Sequence, residues 1–175
     1  SITRAARGAQ SREDLLNAAL VAFAERGFPG VSIADLARDL GIAKATVLHH
    51  FLSKEKLYDA VLSRVADGLE QLLDSVDLDA DNGPKGLSYI ASAYLDWTRE
   101  NPAQANLLTR ELLDNRERAS RAGHWHLSGF TDQIIDLVRR GQKAGRLRVC
   151  DPALPVEMIL GFAQFHVAAR PTRPY

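Results

Sequence analysis

The chain has 175 residues, 22 Lys or Arg balanced by 22 Asp or Glu, 46% hydrophobic and 25% charged residues, and one cysteine. That length builds one large domain, or a small one joined to a medium one, and the composition is ordinary for a soluble globular protein. No apolar run approaches the ~20 residues of a membrane helix, nothing at the N-terminus reads as a signal peptide, and Cys150, being alone, excludes an internal disulfide and fits a reducing cytoplasm.

Helical spacing recurs along the chain, and no stretch alternates long enough for a sheet. The first helix is predicted to open at Ser11, with Asp14 as its capping-box acid, and to end at Gly27. Leu16, Leu20 and Phe23 form its apolar stripe. The second opens on Ser32, again with an acid three residues on at Asp35, and turns at Gly41. A third runs through about 44–50. Ser53 caps a fourth, which the spacing of Leu57, Val61, Val65, Leu69, Leu72 and Val76 extends to about 77.

DLDADNGP, residues 77–84, breaks the pattern and is the best linker candidate. A helix through Leu87, Ile90, Tyr94 and Trp97 follows, then another opened by Asn101-Pro102. After the polar NRERASRAG at 115–123, two long apolar-faced segments close the chain, about 122–143 and 153–169. The fold class is all-α, with a compact N-terminal unit of three short helices.

Residues 33–52 fit a helix-turn-helix. Two helices that cross closely need a small residue at the crossing, here Ala37; Gly41 makes the turn four residues later, and Val47 points back into the core. Residues 1–56 carry eight Lys or Arg against six Asp or Glu, a small excess that still permits a local basic face. In such a unit the third helix offers its N-terminal residues and one exposed face to the major groove. Lys44 can donate to guanine O6 or N7 or to phosphate, Ala45 and Thr46 admit the backbone close to the groove, and His49 can donate to a base edge or phosphate. Ser32 brings a hydroxyl and free backbone N–H groups toward another phosphate.

VSIADLARDLGIAKATVLHHFLSKEKLYDAVL, with AFAERGFPGVS before it, resembles the DNA-binding domain of TetR-family transcriptional regulators. YLDWTRENPAQANLLTREL and IIDLVRRGQKAGRLRVCDP resemble stretches of that family's C-terminal domain. The resemblance implies an Ω-shaped homodimer in the bacterial cytoplasm. It would read a pseudo-palindromic double-stranded operator, usually as a repressor released by a small-molecule effector, and would not be an enzyme. The implied division is a flexible basic arm over 1–10, a helix-turn-helix domain over 11–56, and a helical ligand-binding and dimerisation domain over 57–175. Lys54 matches a family position that contacts phosphate. Two residues depart from the pattern: Leu48 stands where tyrosine is common, leaving an apolar side chain for a thymine methyl or sugar. Ala43 stands where serine often caps the recognition helix, a cap typically worth ~0.5–2 kcal/mol.

Past the linker, helical spacing alone explains most bulky residues as core. The resemblance implies a ligand pocket, for which Tyr94, Trp97, Trp125 and Phe130 are the candidate lining. The dimer is expected from the last two helices, through Ile134, Leu137, Val138, Ile159, Phe162 and Phe165. No cofactor is expected and no metal site: His124 and His126 point to different helix faces, with no acidic or cysteine cluster beside them. Within the family reading, an activator or a regulator without effector is the alternative. Outside it stand a helical enzyme and a purely structural dimer.

Overall fold

Capping and proline chemistry mark out the helices before any packing is considered. Ser32 has extended backbone, φ −114° and ψ 152°, and its hydroxyl accepts the Asp35 amide at 3.0 Å. Ser53 accepts the Lys56 amide at 3.2 Å in the same way. Pro84 and Pro102 open two later helices, where a missing N–H costs nothing.

The computed structural model describes residues 4–74, 76, 82–114 and 126–169, with residues 4–11 and 114 described by backbone only. Among the described residues there are eight helices and no strand. They are α1 (Arg4–Arg26), α2 (Ile33–Asp39), α3 (Lys44–Phe51), α4 (Lys54–Asp74), α5 (Pro84–Glu100), α6 (Pro102–Asp114), α7 (Ser128–Lys143) and α8 (Ala153–Ala168).

The first helix starts earlier than its capping pattern predicts, at Arg4 instead of Ser11, so residues 4–10 continue α1. Ala5, Ala6, Ala9 and Gln10 are strong helix formers, and each residue added to an existing helix gains a hydrogen bond at little cost. The helix expected over 122–143 is described from Ser128 onward. At the end of α1, a β-carbon on Gly30 would collide with the Arg26 carbonyl, so the tight connection into α2 requires glycine.

α1 packs on α2, α4 and α6; α5 and α6 both lean on α8, and α7 packs on α4 and α8. The buried side chains form one continuous cluster, from Leu15 and Phe23 through Tyr58 and Leu69 to Ile134 and Val138. Each fully buried Leu, Val or Phe there contributes about 1.5–3 kcal/mol. The N-terminal helices therefore share their core with the C-terminal ones. Two polar contacts reinforce that junction: the Tyr58 hydroxyl on α4 donates to Glu111 Oε2 on α6 at 2.7 Å, and Arg64 on α4 pairs with Glu13 on α1.

Candidate nucleic-acid interface and ligand cavity

The α2–α3 corner is built by backbone hydrogen bonds that only a positive-φ residue permits. Gly41, at φ 65°, donates to the Arg38 carbonyl at 3.0 Å, and Ile42 donates to that of Ala37 at 2.9 Å. This double bond pattern is a Schellman ending, and it aims α3 across α2 at a set angle. Ala37 is buried at the crossing, and Val47 and Phe51 anchor α3 from below. Arg12 of α1 lies over the Phe51 ring, its guanidinium carbon 5.0 Å from the centroid.

With Val47 and Phe51 inward, helical geometry turns Lys44, Ala45 and His49 outward, and all three are exposed. Thr46 and Leu48 flank that face and are half-buried; Leu48 packs against the core. His50 is half-buried too, its ring 5.6 Å from that of His49 and 6.3 Å from Phe51. Ala43 has extended backbone and gives α3 no side-chain cap, so the first turn of α3 opens toward solvent through backbone N–H groups.

Ser32 caps α2, as its sequence position predicts. Its hydroxyl donates to Asp35 Oδ2 at 2.6 Å, and Arg38 holds the other oxygen of that carboxylate at 2.6 Å. The Ser32 hydrogen bond, then Arg38, pull the Asp35 carboxyl below its usual range, so a negative charge stands beside Ser32. Its proton is directed to that carboxylate, while the Ser32 side chain remains exposed. Lys54 is positioned by an aromatic ring instead: Nζ sits 4.2 Å from the Phe28 centroid, and desolvation lowers its pKa. Phe28 in turn packs edge-on against Tyr58 at 5.0 Å.

The residues expected to line a ligand pocket fare unevenly. Tyr94 and Phe130 are both buried, with ring centroids 5.8 Å apart, and the half-buried Trp97 stacks on Tyr94 at 5.9 Å. Trp125 lies outside the described residues, as does His124. Burial pushes the Tyr94 hydroxyl up to about 12, and Gln164 Nε2 donates to it at 2.7 Å. Gln164 Oε1 accepts from Thr109 Oγ1, also at 2.7 Å. A cavity of about 410 Å³ opens on the other side of Gln164, between α6, α7 and α8. Leu112, Thr131, Ile135, Val156, Glu157 and Leu160 are among the residues that bound it, whereas Tyr94, Trp97 and Phe130 are absent from its wall. Sequence reasoning missed this wall because its residues come from three helices. One signal was present: Gln164 is a buried amide in the largely apolar ALPVEMILGFAQFHVA, whose other polar residues are Glu157 and His166.

The expected dimer residues also divide. Ile134, Leu137 and Val138 are buried in the chain's own core, against α4 and α8, and so have no area left for a partner. Ile159 is half-buried. Phe162 and Phe165 are 66% and 70% exposed, and Leu154 and Met158 continue the same stripe along α8. The outward face of α7 is polar, carrying Asp132, Asp136, Arg139 and Lys143 among others.

The fold brings together one grouping that the sequence conceals. Ser63 Oγ lies 3.4 Å from His126 Nδ1, and Asp59 Oδ1 lies 3.9 Å from His126 Nε2. The first distance is at the outer limit of a hydrogen bond and the second beyond it, in solvent-accessible positions. The grouping ties the lead-in of α7 to α4; it does not hold a nucleophile's proton on a base. Among the described residues, no three His, Cys, Asp or Glu side chains gather as a metal site, and no helix is long and apolar enough to cross a membrane.

The family pattern described as bacterial regulatory proteins, tetR family, matches residues 15–61, from within α1 to within α4. Over 156 residues the chain is 38% identical to the HTH-type transcriptional repressor KstR2 of Mycobacterium tuberculosis (strain ATCC 25618 / H37Rv), covering 86% of this chain and 74% of that protein. It is 28% identical over 160 residues to the HTH-type transcriptional regulator RutR of Escherichia coli (strain K12), covering 91% of this chain and 75% of the relative. Among solved structures, the transcriptional regulator FadR from Bacillus subtilis, in complex with stearoyl-CoA, shares the fold. Its TM-score is 0.75 at 18% identity, over 91% of this chain and 87% of that one.

Proposed function

Because the chain belongs to the tetR family of bacterial regulatory proteins, we propose that this DNA-binding transcriptional regulator is a cytoplasmic repressor. It acts as a homodimer on a pseudo-palindromic operator and is released by a small, largely apolar ligand. The observation that carries the reading is the outward face of α3. Lys44, Ala45 and His49 are exposed there while Val47 and Phe51 hold the helix from beneath. Lys44 supplies donors to guanine or phosphate, Ala45 lets the backbone approach, and His49 reaches a base edge or phosphate. Thr46 and Leu48 border the contact, Leu48 against sugar or a thymine methyl. Lys54, steadied over Phe28, reaches phosphate from the start of α4.

Residues 11–56 serve as the reading unit and 57–175 as the ligand-binding and dimerisation unit, with 1–10 leading into the former. The stripe Leu154, Met158, Phe162 and Phe165 supports a second copy packing on α8, with Ile159 at its edge. Such a dimer fixes two copies of α3 about one turn of DNA apart, ~34–36 Å. A ligand that favours another separation weakens operator binding, and linkage requires that DNA weaken the ligand by the same factor. The deciding experiment is selection of bound fragments from random DNA at low salt. Recovery of a palindromic site upholds the reading, and failure to enrich any sequence overturns it.

A further inference from the structure

The cavity between α6, α7 and α8 has a wall of uneven chemistry. Leu112, Ile135, Val156 and Leu160 make it apolar, with the small residues Ala153 and Gly161 beside them. Its neutral polar atoms are few. The Thr131 hydroxyl points its proton at the Leu127 carbonyl at 3.0 Å, which leaves lone pairs to accept. Gln164 spends one amide hydrogen on Tyr94 and keeps a second. Among the described residues of the wall the one charged side chain is Glu157, which is exposed, and none of them is Lys, Arg or His.

A volume of about 410 Å³ lies within the ~300–1,000 Å³ range of small-molecule sites. An apolar body transferred into it leaves water, which is favourable in proportion to the area buried. The head group must then sit beside the Glu157 carboxylate. An anion there meets like charge, with no cation among the described lining residues to offset it, whereas an ammonium meets its complement and a hydroxyl meets an acceptor. We infer that this cavity is a binding site for a cationic or neutral amphiphile, its apolar body between α6, α7 and α8 and its head at Glu157. An anionic carboxylate of the same length is discriminated against. This deepens the ligand-responsive reading proposed above and rests on it only for its regulatory consequence, since binding itself needs no DNA.

The site also touches the surface on which a second copy is proposed to dock. Gly161 borders the cavity and lies on the same exposed side of α8 as Met158 and Phe165, three residues after the first and four before the second along the turn of the helix. Occupancy of the cavity is therefore next to the seam and not remote from it.

The test uses the full chain and Nile red, a neutral apolar dye, displaced by decylammonium, decanol and decanoate below their micellar concentrations. The expected order of displacement is decylammonium, then decanol, then decanoate, with at least tenfold between the first and last. Glu157→Gln should bring the three within about twofold of one another. Gly161→Leu, which adds a bulky chain at the cavity wall, should weaken dye binding at least tenfold; a β-carbon there meets no atom within 4 Å, so the helix accepts the change. Circular dichroism verifies that both variants remain folded. Decanoate binding as tightly as decylammonium overturns the inference, as does dye binding indifferent to Gly161→Leu. Either result leaves operator selection untouched, while failure of operator selection leaves the displacement order standing.

Discussion

The Arg110 guanidinium, on α6, donates to the Ala24 carbonyl at 2.7 Å and to the Glu25 carbonyl at 2.8 Å. Those carbonyls belong to the last turn of α1, where helices leave acceptors without partners and where a cation is favoured by the helix dipole. The C-terminal helices thus cap the first helix of the DNA-binding unit. One residue before Arg110, Thr109 bonds Gln164 in the wall of the cavity between α6, α7 and α8. The cavity and the end of α1 are joined through two consecutive residues of α6.

Arg110→Ala should lower unfolding free energy by roughly 1–3 kcal/mol, the range for bonds from a charged donor. Chemical denaturation measures it. A midpoint equal to that of the parent would show that water replaces Arg110 without cost.

Lys44→Ala should weaken operator binding by about 1–3 kcal/mol and reduce the salt slope by about one if its partner is phosphate. Binding titrations at several salt concentrations separate the two partners: a base contact changes sequence preference, a phosphate contact changes only the slope. An unaltered isotherm removes Lys44 from the interface.

Leu52 lies between α3 and α4 at φ 58° and ψ −40°, with the Ser53 amide donating to the Phe51 carbonyl at 2.6 Å. This is a γ-turn with positive φ, a strained geometry for a residue bearing a β-carbon. The side chain is 78% exposed and so gains little packing in return. Leu52→Gly should raise stability by about 0.5–1 kcal/mol, the relief of ~1–2 less the backbone entropy glycine adds to the unfolded chain. A fall in stability would mean that Leu52 is held by contacts stronger than its exposure suggests.

Ala43→Ser restores a side-chain acceptor at the uncapped start of α3, where the backbone is already extended at φ −71° and ψ 141°. The gain should be about 0.5–2 kcal/mol, or roughly 2–4 °C per kcal/mol in melting temperature. A thermal melt that does not move would place the serine hydroxyl elsewhere.

Tyr94 titrates at about 12 in the folded chain, raised from 10.0 by burial. Because the folded pKa is the higher one, its contribution is fully present below pH 10 and is lost as pH rises toward 12, by roughly 2–3 kcal/mol. Tyr94→Phe should flatten the stability profile across that window. A variant whose alkaline loss matches that of the parent would assign the loss to other groups.

The helix-turn-helix was legible because its determinants are local. Ser32 and Asp35 make a cap from residues three apart, and Gly41 closes α2 through bonds to Ala37 and Arg38 within one turn. Spacing along α3 likewise decides which side faces out once Val47 is known to face in. The start of α1 was not legible, because a capping box at Ser11 competes with helix-forming residues on both sides of it and propagation prevails.

From the sequence alone follow the all-α class, the helix-turn-helix and the exposed side of α3, since period, caps and turn residues act over a few positions. Only the tertiary structure decided which apolar residues remain free. Ile134 and Phe162 carry the same kind of helical pattern, yet α4 and α8 cover the first while no described helix covers the second. It also decided where the cavity lies, between residues as distant as Leu112 and Gln164. Burial depends on which helices happen to stack against a face, and periodicity reports that a face exists without saying what covers it.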